Sequence, residues 1–379
     1  MSDEHLPHEP SVVLELSRRK GTAAVRKSIA GAQRVAAPYV TMTRIALARL
    51  GRDRLARAGA LVLACLALVG IFADQLASDK PVACRWHGVV YMLPNVTHPA
   101  ALAGLSDAEM RRDRAPGDWM LSALVAHGPT ETGTEADAML APLSPGHPLG
   151  TDAVGRDLFA RVVHGARTAL GLGLGASLVL VAIGIVLGGL AGFAGGVVDS
   201  LVSRAVESLT AIPTLVLVLV VGALVPHPTT ATLLWTIALT RWTELARLVR
   251  AEVLKGLGED YATAARALGA SPARVLLRHV MPNAIGPAIV AAAFGVASVV
   301  LIEAAVDFLR VGSPDTMASW GEAMGEARAS TGAWWLIVFP GVALLATLVS
   351  LNLVGEAARD ALDPKLRGGS SDLGGGVGG

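Results

Sequence analysis

The sequence predicts an all-α membrane protein: a bundle of six transmembrane helices with both chain termini in the cytoplasm. Hydrophobic residues make up 53% of the 379 residues and charged residues only 17%, whereas soluble domains carry about 25% charged residues. The 42 glycines and the aromatic content of only 4% are typical of closely packed membrane helices. The third observation is a series of apolar segments, each near the roughly 20 residues that cross a bilayer core.

The first apolar segment, AGALVLACLALVGIFADQL, predicts a transmembrane helix at 58–77. It begins too far from the amino terminus to be a secretory signal peptide, so we expect it to remain in the protein. Five further segments form a predicted helical core at 168–355, and they lie at 168–196, 206–225, 231–248, 282–308 and 334–354.

The fourth segment, 231–248, is the weakest, because Arg241 and Glu244 follow its short apolar stretch ATLLWTIALT. The alternative is five spans and one re-entrant segment. Cytoplasmic loops collect Lys and Arg; residues 1–57 hold eleven of them and the 249–281 loop holds five, whereas the VPHPTT connection before the fourth segment has none. Six spans put both basic regions inside, and five would put 249–281 outside, so the charges favour six.

The same argument assigns the remaining segments. Residues 1–57 form a cytoplasmic amino-terminal segment, and 356–379 form a cytoplasmic tail rich in Gly. Residues 78–167 form a long external, periplasmic loop or subdomain, too long for the charge rule to apply to its own arginines.

Composition excludes several functions. Lys+Arg 32 against Asp+Glu 31 leaves no basic excess for nucleic acid. Cys65 and Cys84 are the only cysteines and form neither a disulfide framework nor a Cys-rich metal site. The sequence has no phosphate-binding G-x-x-x-x-G-K-[ST] motif, so we expect no catalytic residues, no metal site and no ATP bound by this chain.

Two sets of residues within the predicted spans stand out. Glycines every four residues on one helix face allow another helix to pack closely, and we expect this of Gly184, Gly188, Gly192 and Gly196. Ionisable residues at membrane depth indicate function by default. Asp307 and Arg310 are spaced to pair on one face, whereas Glu303, one turn deeper, either makes a structural hydrogen bond across the bundle or lines a pathway.

The 249–281 loop reads as a helix, a turn and a second helix. Tyr261 begins a short helix that Gly269 is expected to end. Ser271 is a suitable N-cap and Pro272 a suitable first residue for the second helix. That helix ends near Pro282, where the fifth span begins.

This loop resembles the cytoplasmic coupling loop, or EAA loop, of bacterial ABC importer permeases. Thr263, Ala264 and Ala265 stand at the E-A-A positions, with Thr263 in place of the usual Glu, and Gly269 stands at the glycine. In the RHVMPN segment, Val280-Met281-Pro282 stands at the I-x-L-P end of the motif. The segments HPLGTDAVGRDLFARVVHGAR, SWGEAM and WWLIVFPG resemble C-type subunits of dipeptide and oligopeptide importers, although Asp307 and Arg310 stand where these usually have small residues.

The resemblance implies a six-helix type I importer permease in the bacterial inner membrane that moves di- or oligopeptides by ATP-driven alternating access. It implies a heterodimer with a homologous permease, two ABC ATPases that bind ATP and Mg, and an external substrate-binding protein. The residues implied to couple to the ATPases are Tyr261, Thr263, Ala264, Ala265, Gly269, Ser271, Pro272 and Pro282.

Other functions remain open at this stage. The resemblance also allows other substrates, because importer permeases of the same architecture transport nickel chelates, glycosides or peptide antibiotics. A different class is an ion-coupled secondary carrier that uses Glu303 and Asp307, although such carriers often have internal repeats and none is found. An intramembrane hydrolase would need a pair such as His164 and Ser177, and His164 lies in the permease-like motif instead. A purely structural membrane scaffold is the last alternative.

Overall fold

The computed structural model describes residues 53–133, 139–226, 228–310, 318–330 and 332–362. The predicted amino-terminal segment 1–57 and tail 356–379 therefore lie mostly outside the described residues. Helix α1 (Arg54–Ile71) begins where the Asp53 carboxylate accepts a hydrogen bond from the Leu55 amide. A single turn, α2 (Ala73–Leu76), follows it.

A small domain between the first two long helices contains the sheet that the all-α prediction missed. Strands β1 (Ala83–Trp86), β2 (Val89–Met92) and β3 (Trp119–Leu121) form an antiparallel sheet in the order β2-β1-β3. Helices α3 (Pro94–Thr97) and α4 (Asp107–Arg112) complete the domain. Its core is made of Cys84, Trp86, Leu102 and Met110.

Helix α5 (Leu158–Ala194) is the central helix of the bundle. It begins at Leu158 rather than at the predicted 168, because the Asp157 carboxylate caps it by accepting from the Ala160 amide at 2.8 Å. Apolar patterning could not place this start, since the first turns of α5 lie outside the apolar segment.

The segment predicted as one helix at 206–225 is two helices that meet at an angle of 82°. Helix α6 (Gly196–Thr210) ends before Pro213, and α7 (Thr214–Leu224) begins after it. Proline has no amide hydrogen and restricts the residue before it, which explains the break. With 11 residues, α7 is about 16 Å long, half of a bilayer core of about 30 Å.

Helix α8 (Thr230–Gly258) is continuous and begins with a capping box formed by Thr229 and Thr232. After it come α9 (Asp260–Ala267), α10 (Pro272–Val275), a π-helical turn at Leu276–Val280 and α11 (Met281–Phe308). The last helices of the described residues are the short α12 (Trp320–Glu326) and the long α13 (Trp335–Leu362).

Four helices of the described chain are long and apolar enough to cross a membrane: α1, α5, the run from Pro272 to Phe308, and α13. Counting the bent α6–α7 pair as one span gives five. The sixth predicted crossing, in α8, stays a prediction because Arg241, Glu244 and Arg247 interrupt its apolar character.

Close packing around α5 holds the bundle together. The main apolar cluster joins α5 to α8 and α11, and includes Leu180, Ile237, Trp242 and Val299. At the outside of the bundle α1 packs against α13, where Gly59 lies against Ser350 and Leu353.

Candidate functional site

The 259–280 hairpin, which joins α8 to α11, has the turn that its sequence predicts. Gly269 has a φ of +84°, a conformation that Gly adopts without steric strain. The Gly269 amide donates to the Arg266 carbonyl at 2.9 Å, and the Ala270 amide donates to the Ala265 carbonyl at 3.0 Å, as at a helix end with a left-handed residue. Ser271 is the N-cap of α10, but its side chain makes no capping bond, so Pro272 fixes the start of this helix.

An apolar cluster fixes the hairpin to α8. The buried side chains of Val249 and Val253 on α8 pack with Ala262 of α9 and with Val275 and Val280 of the second arm. Tyr261 packs against the same cluster. Its hydroxyl lies so close to Gly256 that a Cβ at residue 256 would be only 2.9 Å from the hydroxyl oxygen. Both arms of the hairpin therefore rest on α8.

The opposite side of the hairpin is open. Thr263 and Ala264 are exposed and Ala265 is half-buried. The Arg266 guanidinium donates to the Leu257 carbonyl at 2.9 Å and to the Thr263 hydroxyl at 3.2 Å, so the Thr263 side chain is engaged within the hairpin.

Two leucines on the hairpin are exposed that the sequence analysis did not single out. Leu268 is 89% exposed and Leu277 is 67% exposed. Both side chains leave apolar surface exposed on the hairpin, and exposed apolar patches mark interaction sites. In the sequence Leu268 stands among small residues, whereas Leu277 follows Val275 and Leu276 directly, so no local signal marks Leu277 as exposed.

The second arm enters α11 without a break, through the π-helical turn at Leu276–Val280. The amide of Met281 donates to Leu276, five residues back, and Pro282 follows without an amide hydrogen. The Asn283 side chain donates to the His279 carbonyl at 2.8 Å, which satisfies one of the groups that the irregular turn leaves open. The predicted helix end near Pro282 is therefore a change of helical pitch instead, and the run from 272 to 308 is continuous.

The glycine ladder forms the seam between α5 and α8 over three positions. A Cβ at Gly184 would lie 2.8 Å from the Leu245 Cβ, and one at Gly192 would lie 2.9 Å from the Arg250 carbonyl oxygen. Gly188 faces the backbone of Ala246 at still closer range. Gly196 is not on this seam, because α5 ends at Ala194 and Gly196 starts α6 with a φ of +51°.

The three polar residues predicted near one end of the fifth span lie in different surroundings. Glu303 and Asp307 are buried, and Glu303 accepts a hydrogen bond from the Ser319 hydroxyl at 3.1 Å. Arg310 was expected to pair with Asp307 through helical spacing, but α11 ends at Phe308 and Arg310 has a φ of +55°. Its guanidinium lies instead 3.7 Å from Glu322 and 4.0 Å from Glu326.

Arg310 thereby borders an ionic cluster that the sequence analysis missed. Arg161 of α5 lies 2.6 Å from Asp152, 3.0 Å from Glu322 and 2.9 Å from Glu326. Arg156 lies 2.6 Å from Asp152 and 2.5 Å from Glu326. Burial raises the pKa of Glu326, and the nearby Arg161 guanidinium opposes this rise.

Two tryptophans secure the same region. The Trp320 indole donates to the Val162 carbonyl at 2.9 Å and occupies the space beside Gly165. The Trp335 indole donates to the Thr151 carbonyl at 3.0 Å. The three segments HPLGTDAVGRDLFARVVHGAR, SWGEAM and WWLIVFPG thus meet at one end of the bundle.

The described residues offer no group of three or more His, Cys, Asp or Glu side chains arranged to hold a metal ion. A surface hairpin is fixed to α8 and continues into α11, and α11 ends beside a buried ionic cluster.

Comparison with known proteins gives consistent matches. Residues 184–368 match the family described as "Binding-protein-dependent transport system inner membrane component". The chain is 36% identical over 227 residues to the oligopeptide transport system permease protein OppC of Bacillus subtilis, covering 60% of this chain and 74% of that protein. It is 38% identical over 220 residues to the di/tripeptide transport system permease protein DppC of Pseudomonas aeruginosa, covering 58% of this chain and 72% of that protein. For the dipeptide permease protein DppC of Bacillus subtilis the identity is 35% over 228 residues, covering 60% and 71%.

Proposed function

The chain belongs to the family of binding-protein-dependent transport system inner membrane components, and from this premise we propose that it is the C-type permease subunit of an ABC importer for di- and oligopeptides. The proposal is supported by the named activities of its relatives, which are peptide permeases aligned over about three quarters of their length. The chain is a multi-pass membrane protein, and the inner membrane of a bacterium is its proposed location.

The proposed assembly contains one homologous permease, two ABC ATPases and an external substrate-binding protein. ATP and Mg bind to the ATPase subunits, and this chain contributes the pathway and the mechanical connection. In this arrangement α8 and the bent α6–α7 pair complete six crossings, so that both termini and the 259–280 hairpin face the cytoplasm.

The proposed mechanism is alternating access driven from the hairpin. Closure of the ATPases displaces the hairpin, and the apolar cluster with Val253 and Val280 makes α8 move with it. Since residues 272–308 form a continuous helical run, the displacement reaches Phe308, whose backbone lies against Gly325 of α12. Such coupling between distant sites needs an element with two stable positions, and the α8–α11 unit is the proposed element.

The exposure of Leu268 on a hairpin anchored to α8 is the observation that supports the proposed coupling role. We expect Leu268→Asp to leave the protein folded, since the side chain is exposed, and to lower ATPase binding by tenfold or more, because an aspartate in an apolar contact costs about 1.4 kcal/mol or more. Co-purification of the ATPases and ATP-dependent peptide uptake in proteoliposomes measure both effects.

Leu143→Asp is the matched control, because Leu143 is also an exposed leucine but lies outside the hairpin. It is expected to keep normal ATPase binding and uptake. Normal uptake by Leu268→Asp, with the ATPases attached, would contradict the proposed role of the hairpin.

The substrate class is tested separately in the same proteoliposomes. Competition by di- and oligopeptides is expected, whereas competition only by nickel chelates, glycosides or peptide antibiotics would reassign the importer. Uptake by the chain without ATPases would favour an ion-coupled carrier that uses Glu303 and Asp307.

A further inference from the structure

The small domain that follows α1 exposes a group of large apolar side chains at one end. They are between 43% and 74% exposed, more than a folded domain needs to leave in water. We call them the juxtamembrane patch, and they are Met92, Leu93, Val96, Leu121 and Leu124.

The strand register places two of these residues in one row of the sheet. Met92 of β2 and Leu121 of β3 both pair with Ala83, the first residue of β1. Side chains of directly paired residues lie on the same face of a sheet. The other face is covered by Leu102 and Met110, so the face that carries Met92 and Leu121 is the open one.

Hydrogen bonds tie this end of the domain to the residues that follow α1. The Asn95 side chain donates to the Asp74 carbonyl at 2.6 Å. The Val125 amide donates to the Leu76 carbonyl at 2.9 Å, and the Ser78 amide donates back to the Val125 carbonyl at 3.2 Å. Val96 and Leu124, the neighbours of Asn95 and Val125, are therefore held beside residues 74–78.

These anchors are close to the point where α1 leaves the membrane. Helix α1 ends at Ile71, and Ile71 and Phe72 are themselves exposed apolar residues. Asp74 and Leu76 lie about 5–8 Å further along the chain at helical rise, a depth that corresponds to the headgroup layer of about 5–7 Å on each side of the bilayer core.

We propose that the juxtamembrane patch lies in the headgroup layer of the bilayer and rests the small domain on the membrane surface. Leu68, Ile71 and Phe72 at the end of α1 are exposed as well. The hydrogen bonds to residues 74–78 hold the patch beside this apolar helix end, which favours lipid over a protein occupant. The next row of the sheet places Trp119 and Arg85 opposite each other, and Trp and Arg are residue types that favour the membrane–water interface. The inference needs only that α1 crosses the membrane and is independent of the transported substrate.

The test uses single-cysteine variants of the full-length chain, with its partner permease, in nanodiscs of phosphatidylcholine and phosphatidylglycerol. Leu124→Cys and Val96→Cys probe the patch in a Cys65→Ala background, since Cys84 is buried. Arg112→Cys, exposed on α4 of the same domain, is the matched control. Charged aqueous thiol reagents should react about tenfold more slowly at the two patch positions than at Arg112→Cys, because charged groups enter the interface at a cost. A fluorophore at either patch position should be quenched by brominated lipid.

Equal reactivity at all three positions without lipid quenching would overturn the proposal, because the patch would then face water. Protection that appears only after the substrate-binding protein is added, or that is lost when the chain is reconstituted without its partner permease, again without lipid quenching, would also overturn it. That result would assign the patch to a protein contact. Neither outcome depends on whether the importer carries peptides, so failure here is distinguishable from failure of the proposed function.

Discussion

The Arg161 guanidinium and the Glu326 carboxylate, 165 residues apart in the sequence, lie 2.9 Å from each other. Their side chains are only 1% and 3% exposed. Asp152, Arg156 and Glu322 surround them, so three carboxylates are balanced by two buried or nearly buried guanidinium groups and by Arg310 at the edge. The cluster holds together the segment before α5, the first turns of α5, and α12.

Removing one charge from this cluster should be severely destabilising. We expect Arg161→Met to lower the free energy of unfolding by about 3–5 kcal/mol, because it leaves buried carboxylates without their partner. Chemical unfolding of the purified chain in detergent measures the change. Lys255→Met is the control: Lys255 is 69% exposed and 4.0 Å from Glu252, and we expect an effect within about 0.5 kcal/mol. A loss of under about 1 kcal/mol for Arg161→Met would show that the cluster contributes little.

The α5–α8 seam allows a test of close packing with a control on the same helix. A Cβ at Gly188 would collide with the Ala246 backbone, whereas one at Gly171 would meet nothing within 4 Å. We expect Gly188→Ala to destabilise the bundle by about 1–3 kcal/mol, as overpacking does. Gly171→Ala should be neutral or stabilising by up to about 1 kcal/mol, since Ala favours the helix. Equal effects of both substitutions on thermal unfolding would argue against a tight seam.

The small domain should show a pH-dependent stability through His127. The Nδ1 atom of His127 lies 3.6 Å from the Glu131 carboxylate. The adjacent Glu131 carboxylate raises the pKa of His127 above its ordinary 6.5, although burial opposes this. A raised pKa in the folded state means that the stabilisation is fully present below pH 6.5 and is lost as the pH rises through the folded value.

The measurement compares the melting temperature of the unmodified chain with that of His127→Gln at several pH values. We expect the difference to be largest near pH 6 and to shrink toward pH 8 or so, because the imidazolium then loses its proton. Burial opposes ionisation of Glu131, but His127 and the Gly128 amide outweigh it and lower the pKa of this carboxyl. The pair therefore weakens again in more acidic solution. A difference that does not vary with pH would contradict the assigned interaction.

Local signals in the sequence were enough to predict the turn of the hairpin and the three glycines that form the α5–α8 seam. Gly269 and Pro272 specify a helix end and a helix start within four residues, so no distant contact was needed to predict them. Gly184, Gly188 and Gly192 follow from a fixed spacing along one helix. Gly196 and the 206–225 segment show the limit of this approach, because the breaks after Ala194 and at Pro213 redirect the chain.

Contacts between distant segments could not be predicted in the same way. Arg161 and Glu326 come together only when α12 packs against α5, and no periodicity connects them. Arg310 pairs away from Asp307 because the helix ends two residues earlier, at Phe308. The sheet was missed because its three strands have only three or four residues each, too few for an alternating pattern to stand out.

The turn of the hairpin gives the most direct test of mechanical coupling. Gly269 needs a φ near its observed +84°, and proline fixes φ near −65°, so Gly269→Pro should displace the exposed Leu268 and the start of α10. Asparagine enters the left-handed region more readily than other residues, so Gly269→Asn should largely preserve the turn. Because the apolar cluster and the transmembrane helices are untouched, both variants should insert normally.

We expect Gly269→Pro to separate ATP hydrolysis from peptide uptake in proteoliposomes while Gly269→Asn keeps the two coupled. If Gly269→Pro supported uptake at the unmodified rate with the ATPases bound, the hairpin would not be the element that transmits their motion.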